Sequence, residues 1–203
     1  MAIATYTDLQ TAIANWLPRA DLTSRIPEFV TLCEAKLNRT LRCRQMEQRS
    51  TATATEYMEL PTGFLELRNV QLNTTPKVPL RLAAPEYMDE WMSDASGKPR
   101  YYAVLANQIQ LAPAPDGTYT VEVDYYEVIP PLASNSTNWL LTSHPDIYLY
   151  GSLLESAAFL SGSAEINVWQ SAFQQCLGQL QSSDKRSKWS GSSMAVRSSS
   201  PVY

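Results

Sequence analysis

Apolar residues recur at three- and four-residue intervals near both ends of this chain and at two-residue intervals in its middle. Near the start, Leu9, Ile13, Trp16 and Leu17 share one helical face, with Thr7 and Gln10 read as a capping box and Pro18 as the stop. A second helix follows "DLTSRIP". Its Ile26, Phe29, Val30, Cys33, Leu37 and Leu41 make one stripe out to about Arg44, and Pro27 falls in its first turn. The period then shortens. "FLELRNVQL" carries Leu65 and Leu67 in one phase and Val70 and Leu72 in the other, which predicts a bulge. "KVPLRL" reads as a further short strand, and "APEYMDEWMSD" as one or two helical turns from Pro85. "RYYAVL", "QIQLAP" and "TYTVEVDYYEVI" are strands. In the last, Tyr119, Val121, Val123 and Tyr125 alternate with Thr120, Glu122 and Asp124. Asp116-Gly117 predicts a hairpin between the last two strands.

Helical spacing returns near Pro145, with Ser143 or Asp146 able to cap. Gly162 breaks it. Ser163 can cap a final helix with Ile166, Trp169, Phe173, Cys176 and Leu180 on its stripe. The expected fold class is α+β: a helical bundle of the N- and C-terminal helices (about 7–17, 24–44, 145–161 and 164–182), with an inserted small antiparallel β-sheet region (about 48–130). Residues 1–183 would form one domain and 184–203 an extended C-terminal tail.

Charge sharpens this picture. From Ile129 to Ser183 only Asp146, Glu155 and Glu165 are charged, where average composition would put about fourteen. Gln170, Gln174, Gln175 and Gln179 lie off the apolar stripe of the last helix, where a solvated face normally shows Lys and Glu. A polar, uncharged face is cheap to desolvate, so these glutamines are candidate subunit-interface residues; a helix pair buried within one subunit is the alternative. The tail reverses the pattern, with Lys185, Arg186, Lys188 and Arg197 against Asp184 giving it a net charge of +3. It is too poor in apolar residues to order itself. Trp189, Met194, Val196, Val202 and Tyr203 are spaced as anchors of an extended, partner-binding peptide.

Candidate chemistry is sparse. His144 and Asp146 could pair as acid and base, but no nucleophile motif accompanies them, and a helix N-terminus collects such residues. Glu56, Glu59, Asp89 and Glu90 could supply a carboxylate pair for glycoside hydrolysis. Tyr87, Trp91, Tyr101 and Tyr102 could stack on sugars or bases, or simply pack. Arg39, Arg42, Arg44 and Arg49 could touch nucleic acid, or form ion pairs and complement a helix C-terminus. The net charge of −4 argues against a generally basic nucleic-acid binder. Cys33, Cys43 and Cys176 lack metal-ligand spacing and read as reduced core thiols. No cofactor or metal site is expected, no enzyme, and no membrane span or signal peptide; the sequons at Asn38, Asn73 and Asn135 read as chance matches.

Three stretches carry a resemblance. "LTSRIPEFVTLCEAKLNRTLRCRQME", "KPRYYAVLANQIQLAPAPDGTYTVEVDYYEVIPPL" and "NWLLTSHPDIYLYGSLLESAAFL" resemble, in order, the long second helix, the sheet with its Pro-Pro loop, and the third helix of tailed-bacteriophage head-to-tail adaptor proteins. The resemblance covers most of residues 5–183. It implies a homo-oligomeric ring, typically of twelve, in the virion neck between capsid and tail, assembled in the host cytoplasm. Its partners would be the portal protein above and tail or nozzle proteins below. Double-stranded DNA would pass through as non-specific cargo. C-terminal extensions in such rings reach the portal, which would make Lys185 to Tyr203 the portal-binding segment. The rival readings are a tail-associated carbohydrate-binding module or a wall-degrading glycosidase.

Overall fold

The computed structural model describes residues 3–17, 19–92, 95–160 and 165–190. The chain divides into two compact units, one of Met1–Gln45 with Ile129–Tyr203 and one of Met46–Val128.

The first unit is helical. Helix α1 (Tyr6–Trp16) buries Leu9 and Ile13. Its capping box is Thr5 with Asp8, two residues earlier than the predicted Thr7 and Gln10. Thr5 is the last extended residue, whereas Thr7 is already helical and its carbonyl accepts the Thr11 hydroxyl. A 3₁₀ turn at Ala20–Arg25 leads into α2 (Ile26–Thr40), which buries Ile26, Phe29, Val30, Cys33 and Leu37. The helix ends at Thr40 rather than near Arg44. Leu41 is extended yet still buried, so the apolar spacing outlasts the helix. Arg44 begins a second 3₁₀ turn, Arg44–Met46.

On the C-terminal side, a short helix that the sequence reading did not anticipate, α4 (Trp139–Ser143), is capped by the Asn138 side chain. It abuts α5 (Pro145–Glu155), followed by a 3₁₀ turn, Ser156–Phe159. Neither Ser143 nor Asp146 caps α5: the cap position is His144, which makes no side-chain capping bond. The last helix, α6, runs Glu165–Trp189. Helix α5 lies against α1, α2, α4 and α6. Gly151 permits the approach: a β-carbon there would clash with the Cys33 Sγ and stand 2.9 Å from the Phe173 ring. The expected stop at Pro18, break at Gly162 and cap at Ser163 lie outside the described residues.

The second unit holds two four-stranded sheets, where one small sheet was expected. The first runs β1 (Glu47–Thr53), β8 (Thr120–Glu127), β3 (Phe64–Leu72), β4 (Val78–Pro79), all antiparallel. The second runs β2 (Tyr57–Glu59), β7 (Gln108–Ala112), β6 (Tyr101–Leu105), β5 (Arg81–Leu82), and its β5–β6 pair is parallel. Val70, Leu72, Val121, Val123 and Tyr125 of the first sheet share a core with Met58, Ile109 and Leu111 of the second. Val121, Val123 and Tyr125 of β8 are buried as the alternation predicts, although Glu122 between them is buried too; the phase change in β3 appears, and the β3–β8 register slips between Leu67 and Asn69. Asp116-Gly117 is not a hairpin turn, because β7 and β8 belong to different sheets. The tight hairpin is β6–β7, at Ala106-Asn107, with Ala106 at φ +51°. "KVPLRL" likewise splits at the buried Leu80 into strands of different sheets. Helix α3 (Pro85–Met92) packs Met88 on Ala103 and Ala112.

Candidate interaction surface

Helix α6 has two unlike sides. Trp169, Phe173, Leu180 and Asp184 are buried at intervals of four, seven and four, which is one stripe. Gln170, Gln174, Gln175 and Gln179 are all exposed on the remainder, beside Asn167, Ser171 and a 66 % exposed Val168. The run without charges therefore has two causes. In α5 it reflects burial, since Ile147, Tyr148, Leu149, Gly151, Ser152 and Leu153 are covered within the unit. On the outer face of α6 nothing in the unit covers the glutamines. Gly178 sits among them, and a β-carbon there would meet nothing within 4 Å. Shallow hollows of about 440 and 250 Å³ border it. Glycine inside a helix costs about 1 kcal/mol relative to alanine, and no contact within the unit demands it here.

The C-terminal turns of α6 correct the expected tail. Lys185, Arg186, Lys188 and Trp189 are helical, not extended. The reason is Asp184, 8 % exposed, whose carboxylate accepts the Arg44 backbone N–H at 2.8 Å and pairs with Lys188 at 3.2 Å. This bond ties α6 to the turn that follows α2. Lys185 and Arg186 are exposed near the negative end of the helix dipole. Met194, Val196, Arg197, Val202 and Tyr203 lie outside the described residues.

A buried polar cluster fixes the Pro130-Pro131 loop. Glu34 Oε1 accepts from the Leu132 N–H (2.9 Å) and from the Tyr148 hydroxyl (3.2 Å). One turn later, Asn38 Oδ1 accepts from the Ile129 N–H at 2.9 Å. Asn138 donates to the Tyr148 oxygen (2.7 Å) and the Pro130 carbonyl (2.8 Å), and accepts the Leu141 N–H (2.8 Å). Burial pushes the Glu34 carboxyl above its ordinary value, and its two donors only partly offset this. Burial also pushes the Tyr148 hydroxyl up.

The sequence profile of the SU10 adaptor proteins matches residues 4–197. The chain belongs to the SU10 adaptor protein family. This is a family of phage head-to-tail adaptors, structural proteins rather than enzymes. No curated protein matches the chain.

In this adaptor the His144–Asp146 pair and the carboxylates weighed for catalysis belong to different units. His144 links α4 to α5. Asp146 instead approaches Cys176, whose thiol is pushed up to about 11, first by burial and then by that carboxylate. Cys33 is pushed up to about 12, chiefly by burial, which favours the protonated thiol. Glu56, Glu59, Asp89 and Glu90 are exposed on β2, its approach and α3. Tyr87 meets Tyr101 edge-on at 6.2 Å. Of the arginine cluster, Arg42 and Arg49 have local partners. Arg42 donates to the Asn38 and Leu41 carbonyls at the end of α2, and Arg49 pairs with Asp124 (2.6 Å) and Glu122 (3.4 Å) on the first sheet. The Glu34 cluster was missed by the sequence reading. A glutamate on the apolar stripe beside Cys33, with Asn38 one turn on, was its only signal. Among the described residues no helix is long and apolar enough to cross a membrane, and no cluster has a metal-ligand set.

Proposed function

We propose that this adaptor assembles as a ring, of twelve subunits, that joins the portal of a DNA-filled capsid to the tail proteins in the virion neck. The helices act as the bundle that carries the ring contact, with the exposed glutamine face of α6 meeting the neighbouring subunit. The segment beyond Ser190 serves as an extended arm that reaches the portal, anchored by its apolar residues, with Lys185, Arg186, Lys188 and Arg197 aiding encounter. DNA passes as non-specific cargo. An acidic overall balance suits that role, since phosphate affinity grows with each cation presented.

The observation that carries this reading is the outer face of α6, exposed, polar and without charge over Gln170–Gln179. Such a face loses little on desolvation, whereas a solvated helix gains from charges there. The test is the double variant Gln174→Glu, Gln175→Glu. Burying two unpaired carboxylates per subunit should abolish ring occupancy in native mass spectra of portal-bound complexes. Thermal unfolding of the free chain should stay within about 2 °C, because both positions are exposed. Unchanged occupancy overturns the assignment of this face.

A further inference from the structure

The second sheet carries opposite charges on its two outer strands. The cations of the Met46–Val128 unit fall into two groups. Arg49, Arg68 and Lys77 are held in ion pairs with Asp124, Glu47 and Glu122. Arg81, Lys98 and Arg100 gather at one edge of the second sheet instead. Arg81 opens the edge strand β5, its backbone N–H donates to the Arg100 carbonyl at 2.9 Å, and Lys98 stands just ahead of Arg100. All three side chains are exposed, and none makes an ion pair among the described residues. At the opposite edge Glu59 lies in β2 and Glu56 directly precedes it, both exposed and likewise without an ion pair.

Each edge also shows a large apolar side chain. Leu82 of β5 is 70 % exposed and Tyr57 of β2 is 48 % exposed. Arg81 and Ala83 turn their N–H groups to β6, which leaves those of Leu82 facing outward. The bonds from the Leu111 N–H to Glu56 and from the Leu60 N–H to Asn107 turn the backbone groups of Tyr57 and Glu59 outward in the same way. Among the described residues no strand pairs with the outer side of β2 or β5. The acids of α3 belong to neither edge. That helix packs on Ala103 and Ala112 of the two middle strands, and its Asp89 already accepts from the buried Gln110 amide at 3.2 Å.

We propose that these two edges meet between neighbouring copies of this chain: the β5 edge of one subunit docks on the β2 edge of the next. Arg81 and Arg100 then face Glu56 and Glu59, and Leu82 lies against Tyr57, an apolar centre inside a charged rim. Lys98 adds to the field that steers the encounter. Because the two surfaces differ, every such pair keeps one free edge of each kind. Subunits go on adding until the turn closes, which is the geometry of a ring and not of a two-fold dimer. Nucleic acid would use the cations alone, leaving Leu82 exposed and the glutamates of the other edge without a partner. The inference deepens the ring reading and rests on it, adding a contact in the β unit to that of α6.

The test reverses the charge of one edge at a time in the full chain: Arg81→Glu with Arg100→Glu, then Glu56→Arg with Glu59→Arg, then all four together. Native mass spectra of portal-bound complexes report ring occupancy. Either single-edge reversal sets like charges across every contact and should lower occupancy at least about tenfold. The fourfold variant restores opposite charges and should recover to within about twofold of wild type. All four positions are exposed, so melting temperatures should stay within about 2 °C of wild type. Recovery on adding a second reversal is an outcome that a folding defect does not produce. Undiminished occupancy in both single-edge variants overturns the edge contact, as does a folded fourfold variant that fails to recover. Loss in the arginine variant alone would assign those cations to DNA or the portal and also overturns it. In each of these cases a full wild-type ring leaves the ring reading standing, whereas wild-type subunits bound singly to the portal would overturn both.

Discussion

Glu34 is 6 % exposed, and its carboxyl is held above the ordinary value of 4.5 mainly by burial. An acid whose folded value is raised binds its proton more tightly in the native state. Its contribution to stability is therefore greatest below pH 4.5 and falls as pH rises through the folded value. Glu34→Gln keeps an acceptor for the Leu132 N–H and Tyr148 hydroxyl but cannot ionise. Urea midpoints measured from pH 4 to 8 should therefore decline less with rising pH in Glu34→Gln than in wild type. An identical pH profile would show that Glu34 is not the titrating group. Glu34→Leu removes the acceptor from two buried donors and should cost about 3 kcal/mol at pH 7. Asp184 has the same kind of role at the other end of the unit. Asp184→Ala should cost about 2 kcal/mol and speed hydrogen exchange at the Arg44 amide, whereas Asp184→Asn, which retains an acceptor, should lose less.

Among the helices, two glycines make opposite predictions. Gly151 lies where α5 meets α2 and α6, and its missing β-carbon is what lets Cys33 and Phe173 close in. Gly151→Ala should push those helices apart and cost about 2–3 kcal/mol in chemical denaturation. Gly178 in α6 has open space at its α-carbon. Gly178→Ala should stabilise the free chain by about 0.5–1 kcal/mol, since alanine is the better helix former and meets nothing. Equal effects of the two substitutions would contradict this packing. If the hollow at Gly178 receives the neighbouring subunit, the same change that raises the melting temperature should lower ring occupancy. In the β unit, the first sheet holds its buried Glu122 with Lys77 at 2.8 Å, Gln71 and Arg49. That hydrogen bond from Lys77, more than any other contact, lowers the Glu122 carboxyl.

For the whole molecule, the helical stretch through Trp189 sets where the chain can be cut. Removal after Ser183 would delete Asp184 and free the Arg44 N–H, so it should destabilise the subunit. Removal after Ser190 leaves every described element intact and should leave the melting temperature within about 2 °C of wild type. If the arm is the portal anchor, the shorter protein should fold but fail to co-sediment with portal-bearing, tailless capsids. Full co-sedimentation would place portal recognition elsewhere on the chain.

Periodicity alone identified the apolar faces of α2 and α6, that of α1 except for the half-exposed Trp16, the alternation of β8 except for the buried Glu122, and the phase slip in β3, because each is a property of neighbouring residues on one element. The order of helices and strands was enough to point to the adaptor family. Sequence could not assign strands to sheets. Asp116-Gly117 has the composition of a hairpin turn, but whether β7 and β8 pair is settled by distant partners: Tyr57–Glu59 for one, Glu47–Thr53 and Phe64–Leu72 for the other. The glutamines of α6 were legible as a face without charge, but only the packed unit decided that α5 is covered and α6 is not. Polar residues with buried roles were the least legible. Glu34, Gln110 and Asp184 look like ordinary surface residues in sequence. Their bonds to Leu132, Asp89 and Arg44 span 98, 21 and 140 positions. A local pattern reports which side of an element is apolar, and only the tertiary structure decides what that side, or a polar residue within it, will meet.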